Sequence, residues 1–159
     1  MSVRLITRLK TLRLALFLGL AFALALAAPT ARPAGAGLGA IEAKIVRLRN
    51  NSGQVICTLF SPSDKFPDQR RKGMTIAVPI ENKRATCRFA SLPYGDYAIV
   101  AFHDENRDGN INQNWLGMPK EGFGFSNNPR TLRKPAFNDA KFVVDQSLIH
   151  ITIKLNYWF

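Results

Sequence analysis

Beyond Ala40 the apolar residues of this chain recur at every second position, and that period constrains its fold more than any other feature. Ile41, Ala43 and Ile45 alternate with Glu42 and Lys44, Ala85, Cys87 and Phe89 alternate with Thr86 and Arg88, and Leu148 to Leu155 reads LIHITIKL. Successive side chains of a strand face opposite sides of a sheet, so such runs bury one face and wet the other. Gln54–Phe60 (QVICTLF) is β-branched and apolar, and Tyr97–Phe102 (YAIVAF) is nearly all apolar, as a central strand should be. With Thr75–Ile80 and Lys141–Val144 this makes about seven short strands, the pattern of a sandwich. Turn formers separate them at Asn50-Asn51-Ser52-Gly53, Glu81-Asn82-Lys83 and Pro93-Tyr94-Gly95-Asp96. After Ala28 no segment carries an apolar stripe at helical spacing; single helical turns fit only near Asp64–Lys72 and Phe137–Ala140. The expected fold is all-β, a single antiparallel β-sandwich over residues 41–159. Tyr97, two residues after the glycine of the Pro93–Asp96 turn, is expected to cap local backbone with its hydroxyl.

The N-terminus follows a different logic. Arg4, Arg8, Lys10 and Arg13 form a basic region without an acid, Leu14–Leu26 is uninterrupted apolar sequence, and Ala25 and Ala27 supply small residues for cleavage. A spanning helix needs roughly 20 apolar residues, and this run is shorter. Residues 1–27 are therefore expected to be a secretory signal peptide, residues 28–40 a flexible Pro/Gly/Ala lead-in, and no transmembrane segment should remain after cleavage. The expected location is periplasmic or secreted. The chain holds 22 Lys+Arg against 11 Asp+Glu. Export makes nucleic acid an improbable partner, which leaves envelope glycan, lipid or protein. Basic clusters at Arg70-Arg71-Lys72 and Arg130–Lys134 sit in turn-rich sequence, where solvated loop charge explains them.

Cys57 and Cys87 both fall on the apolar phase of their strands. In an oxidising compartment two inward thiols can pair. They can equally serve unpaired as small core hydrophobes, and spacing along the chain does not fix the Cα separation that a disulfide requires.

The segment His103–Asn128 (HDENRDGNINQNWLGMPKEGFGFSNN) does not read as scaffold. Asp104, Asn106 and Asp108, followed by Gly109, Asn110 and Ile111, match the first half of a calcium loop, with the Asn110 carbonyl as backbone ligand. Trp115 stands where the closing bidentate glutamate belongs, so Glu121 or Asp139 would have to complete the site. The other reading of these residues is a polar turn held by Asx hydrogen bonds. His103, Glu121, Trp115, Phe123, Phe125, Ser126, Asn127 and Asn128 interleave acids, amides and aromatics and form a candidate binding loop. A hydrolase using His103 with Asp104 or Glu121 is the alternative. Against it, no G-x-S-x-G elbow, HExxH or P-loop occurs, and no residue is assigned a catalytic role.

Tyr97–Asp104 (YAIVAFHD), Glu105-Asn106 and Glu121–Asn128 (EGFGFSNN) resemble the domain-of-unknown-function 2141 family of small exported bacterial proteins. The likeness extends to the Asn-x-x-Gly-Gln-Val opening, the Pro-x-Gly-x-Tyr turn and Phe137-x-Asp139-Ala140-x-Phe142. It implies an immunoglobulin- or transthyretin-like sandwich and no established activity. The two cysteines and the tail Tyr157-Trp158-Phe159 fall outside that pattern. The tail continues the alternation of Ile151, Ile153 and Leu155, and is expected to pack its aromatics on the sandwich edge or on a partner. These readings together point to an exported, non-catalytic binding or accessory module of the cell envelope, with calcium as its candidate ion.

Overall fold

The computed structural model describes residues 37–68, 72–130 and 134–158, all within the unit Pro33–Phe159. The expected signal peptide, most of the lead-in, Arg70, Arg71 and Phe159 lie outside the described residues. Eight strands and one helical turn follow in order: β1 Leu38–Val46, β2 Gln54–Phe60, β3 Met74–Val78, β4 Ala85–Pro93, β5 Gly95–Asp104, β6 Phe123–Phe125, α1 Phe137–Ala140, β7 Phe142–Val144 and β8 Leu148–Lys154. They build two sheets, β4-β1-β8 and β3-β2-β5-β6, with β7 pairing the start of β5. The fold is an all-β sandwich. Among the described residues no helix is long and apolar enough to cross a membrane.

The alternating residues meet between the sheets. Ile41, Ala43 and Ile45 of β1 and Cys87 and Phe89 of β4 pack against Val55, Cys57 and Leu59 of β2 and Ile99 and Ala101 of β5, all buried. A Cys57–Cys87 disulfide crosses this core from β2 to β4, with Cα atoms 6.4 Å apart. Tyr97 donates its hydroxyl to the Pro93 carbonyl at 2.8 Å, the local cap expected for the turn before β5.

Three features depart from the sequence expectation. β1 and β8 run parallel, with Ile41 opposite Ile149 and Ile45 opposite Ile153, so the sandwich is not antiparallel throughout. β6 is an eighth strand cut from the Gly-rich part of the supposed loop, pairing Phe102 with Phe123 and Val100 with Phe125. β1 also starts at Leu38, inside the expected lead-in.

The larger sheet is covered on both faces. Ile56, Phe60, Ala98, Val100 and Phe102 are buried, yet they lie on the phase opposite the inter-sheet core. Phe66 helps cover that outer face, with its ring 5.2 Å from Phe60 and 6.0 Å from both Phe125 and Phe137. Both phases of β2 and β5 are apolar because both lose water.

Candidate functional site

β5 ends in two side chains of opposite direction, and together they organise the loops beyond it. His103 opposes Val55 and is fully buried. Its Nε2 lies 2.7 Å from the Ser52 carbonyl, which can only accept, so Nε2 carries the proton. In the neutral ring Nδ1 then accepts from the Tyr157 hydroxyl at 2.8 Å. That hydroxyl in turn accepts from the Arg49 N–H at 3.1 Å. Tyr157 can lie here because residue 122 is glycine: a Cβ would stand 2.3 Å from its ring. Arg49 grips Glu105 with Nε and Nη2 at 2.6 and 2.7 Å, and its guanidinium lies 4.9 Å from the Tyr157 ring centre. The Arg49 hydrogen bond holds the Glu105 carboxyl below its ordinary pKa and raises that of Arg49. Burial pushes the Tyr157 hydroxyl up.

Asp104 points the other way and is also fully buried. Its carboxylate accepts from Gln54 Nε2 at 2.8 Å, from Asp108 N at 3.1 Å and from Gly109 N at 3.0 Å. Asp108 accepts from Asn110 N at 2.7 Å, Asn106 Nδ2 at 2.8 Å and Asn112 Nδ2 at 3.1 Å. The Asn110 N–H, then the Asn106 and Asn112 amides, hold its carboxyl below the ordinary aspartate pKa. Glu121 accepts from Glu105 N and Asn112 N, both at 2.9 Å, and so clamps the two ends of the 105–112 loop. Asp104, Asn106, Asp108 and Asn110 thus share one turn as the sequence suggested, and their carboxylates are engaged by N–H donors. Among the described residues no group of three or more His, Cys, Asp or Glu side chains is placed to hold a metal ion. Asp139 is not brought to this turn: it caps α1, accepting from Ala136 N.

The signature residues fasten the end of β6 to β5, to the α1 turn and, through Asn128, to β8 of the other sheet. Ser126 is buried, accepts from Ile99 N at 2.9 Å and donates to the Ala140 carbonyl. Asn127 donates to the Lys141 carbonyl. Asn128 donates to Thr152 O at 2.8 Å and accepts from Lys154 N at 2.7 Å, so its amide serves β8 as a strand neighbour would. Asn127 and Asn128 both hold positive φ, 60° and 49°, which asparagine tolerates better than most residues. Phe123 stacks on Trp158 at 6.5 Å, and Phe123 and Asn156 exchange backbone hydrogen bonds, so Asn156 and Trp158 pack on the sandwich edge at β6.

Trp115 stands apart from these residues. Residues 112–120 form a small hairpin: Lys120 N donates to Asn112 O, Asn114 N to Met118 O and Gly117 N to Asn114 O. Asn114 Oδ1 accepts from both Leu116 N and Met118 N at 3.0 Å, and Gly117 supplies the positive φ of 75° that the turn needs. This braced tip presents Trp115 at 89% exposure and Leu116 at 59%. Arg49, Glu105, Tyr157 and Leu116 were not among the candidate residues read from sequence. A signal did exist for Leu116: a Trp-Leu pair between the turn formers Asn114 and Gly117 has no core to enter.

The arrangement defines a class: a small disulfide-stapled β-sandwich whose loops at one end are fastened by an internal polar network. Residues 43–152 match the family model described as "Uncharacterized protein conserved in bacteria (DUF2141)", and the chain belongs to that family. Tyr157 and Trp158 lie beyond the matched span. No curated protein and no solved structure matches the chain.

Proposed function

We propose that this is an exported, non-catalytic module of the bacterial envelope, periplasmic or secreted, which makes contact through the Trp115–Leu116 tip. One observation carries the reading. His103 and the carboxylates of Asp104, Asp108 and Glu121 are engaged in internal hydrogen bonds, while two large apolar side chains are held in water on a braced turn. Export is supported by the basic and apolar N-terminal sequence and by the buried disulfide, a bond that persists in oxidising compartments. The hydrolase alternative needs an accessible base within reach of a substrate, whereas His103 is 0% exposed and both ring nitrogens are taken. We read the Asp104–Asn112 loop as the hairpin's support rather than as a calcium site. The test is co-sedimentation with washed cell envelopes. Trp115→Ala should sharply lower the bound fraction while stability changes by less than about 0.5 kcal/mol, as for an exposed side chain. Undiminished binding by that variant would refute the tip as the contact.

A further inference from the structure

We infer that the Trp115–Leu116 tip docks on a phospholipid bilayer carrying anionic headgroups; this rests on the reading above and names the surface its contact element meets. The tip is convex, two adjacent residues at the end of a hairpin. A protein partner would have to supply a fitted pocket for the indole. A bilayer needs none, because its interfacial zone takes in a protruding apolar group of any outline. The residue types suit that zone. Tryptophan couples a large apolar ring to an N–H and settles at the headgroup level. Trp115 makes no side-chain hydrogen bond among the described residues, so its N–H is available to headgroup or water. Leu116 beside it adds aliphatic surface without polar atoms.

Two further observations favour this surface. The Asn114 side chain and the hairpin ladder already fix the turn, so docking orders little new backbone. Charge points the same way. Past the expected cleavage after Ala27 the chain carries 18 Lys+Arg against 11 Asp+Glu, and Arg107 and Lys120 are exposed at the hairpin base beside Asp108 and the half-buried Glu105. A basic body draws an apolar tip toward anionic headgroups, with a strength that salt weakens.

The chain has two tryptophans, so Trp158→Phe leaves Trp115 as the sole indole. With vesicles of phosphatidylglycerol and phosphatidylethanolamine, that variant's emission should shift to the blue. Trp115→Ala in the parent should cut vesicle co-sedimentation by about tenfold or more, as expected for losing a buried indole. Leu116→Ser should cut it less, and salt of about 0.5 M should weaken it in every variant. Matching thermal melts would establish that the variants fold. An unshifted emission, or Trp115→Ala sedimenting like the parent, would overturn the inference. Equal binding to phosphatidylcholine vesicles would overturn its anionic component. If envelopes hold the protein through Trp115 while pure lipid vesicles do not, the lipid inference fails, the module reading stands, and the partner is an envelope protein or glycan. If Trp115→Ala binds envelopes as well as the parent, both fail.

Discussion

Asp104 sits where three N–H donors converge out of reach of water: the Gln54 amide and the Asp108 and Gly109 backbone. Removing the carboxylate leaves those donors without an acceptor, so Asp104→Ala should cost roughly 2–3 kcal/mol, the range for bonds to a charged group. Because the loss is of hydrogen bonds, it should be the same in millimolar calcium and in chelator. A calcium-dependent rise in the parent's melting temperature, abolished by Asp104→Ala and Asp108→Ala, would instead restore the metal reading. Glu105 makes a different prediction, one about pH. Its folded-state pKa is lowered, mainly by the Arg49 hydrogen bond, so its stabilisation is present above the ordinary carboxylate value of about 4.3 and fades as pH falls through the lower folded value. Arg49 is partly solvated, at 40% side-chain exposure, and pairs of this kind contribute about 1 kcal/mol or less. At neutral pH Glu105→Gln should therefore melt slightly below the parent, and the two curves should merge in acid. A gap that widened on acidification would contradict the pairing.

The strands differ in how plainly their sequences announced them. β1 and β4 alternate cleanly because one face meets the core and the other meets water, and both were legible from period alone. The unbroken apolar runs of β2 and β5 read as central strands, but what covers the outer face of their sheet was not legible: Phe66 and Phe137 roof it and carry no periodic signal. β6 escaped notice because three residues show no period, and the glycine at its centre reads as a breaker. The parallel pairing of β1 with β8 joins the two ends of the domain, a contact that local pattern cannot encode. Within the loop, the Asx turn from Asp104 to Asn110 was legible as a spacing, but the direction in which Glu121, Ser126 and Asn128 turn was not. Interleaved polar and aromatic residues look alike whether they face a ligand or fasten two sheets. The cysteines were similar: phase placed both thiols inward, and only the tertiary register set them 6.4 Å apart at Cα. A cross-link spanning 30 residues should stabilise the fold by about 3–4 kcal/mol in the chain-entropy account. Reduction, or Cys57→Ala with Cys87→Ala, should lower the denaturant midpoint accordingly with the slope little changed. An unaltered midpoint would mean that the sheets hold together without the staple.

At the scale of the whole molecule, the disulfide, the basic balance and the N-terminal sequence bear on one question, which is where the chain works. The bond is buried between β2 and β4, and Cys57 and Cys87 are both 0% exposed. A thiol pair so enclosed is best joined before or while the sheets close, and the proposed export would place folding in an oxidising compartment. The proposal of export rests on the sequence ahead of the described domain: four bases without an acid, then the apolar run Leu14–Leu26, then Ala25 and Ala27 at cleavage spacing. Strand β1 begins at Leu38, so a cut after Ala27 would leave ten residues, 28–37, ahead of the first strand. All eight strands lie beyond that cut, and cleavage should not alter the stability of the sandwich. The expectation is that intact-mass measurement of protein from the producing cell's envelope finds a new N-terminus near Ala28 and a mass two hydrogens short of the fully reduced chain. Both marks should appear together, because export supplies both the peptidase and the oxidant. Protein that keeps Met1, or a cleaved chain with two free thiols, would break that link and send the search for its site of action elsewhere.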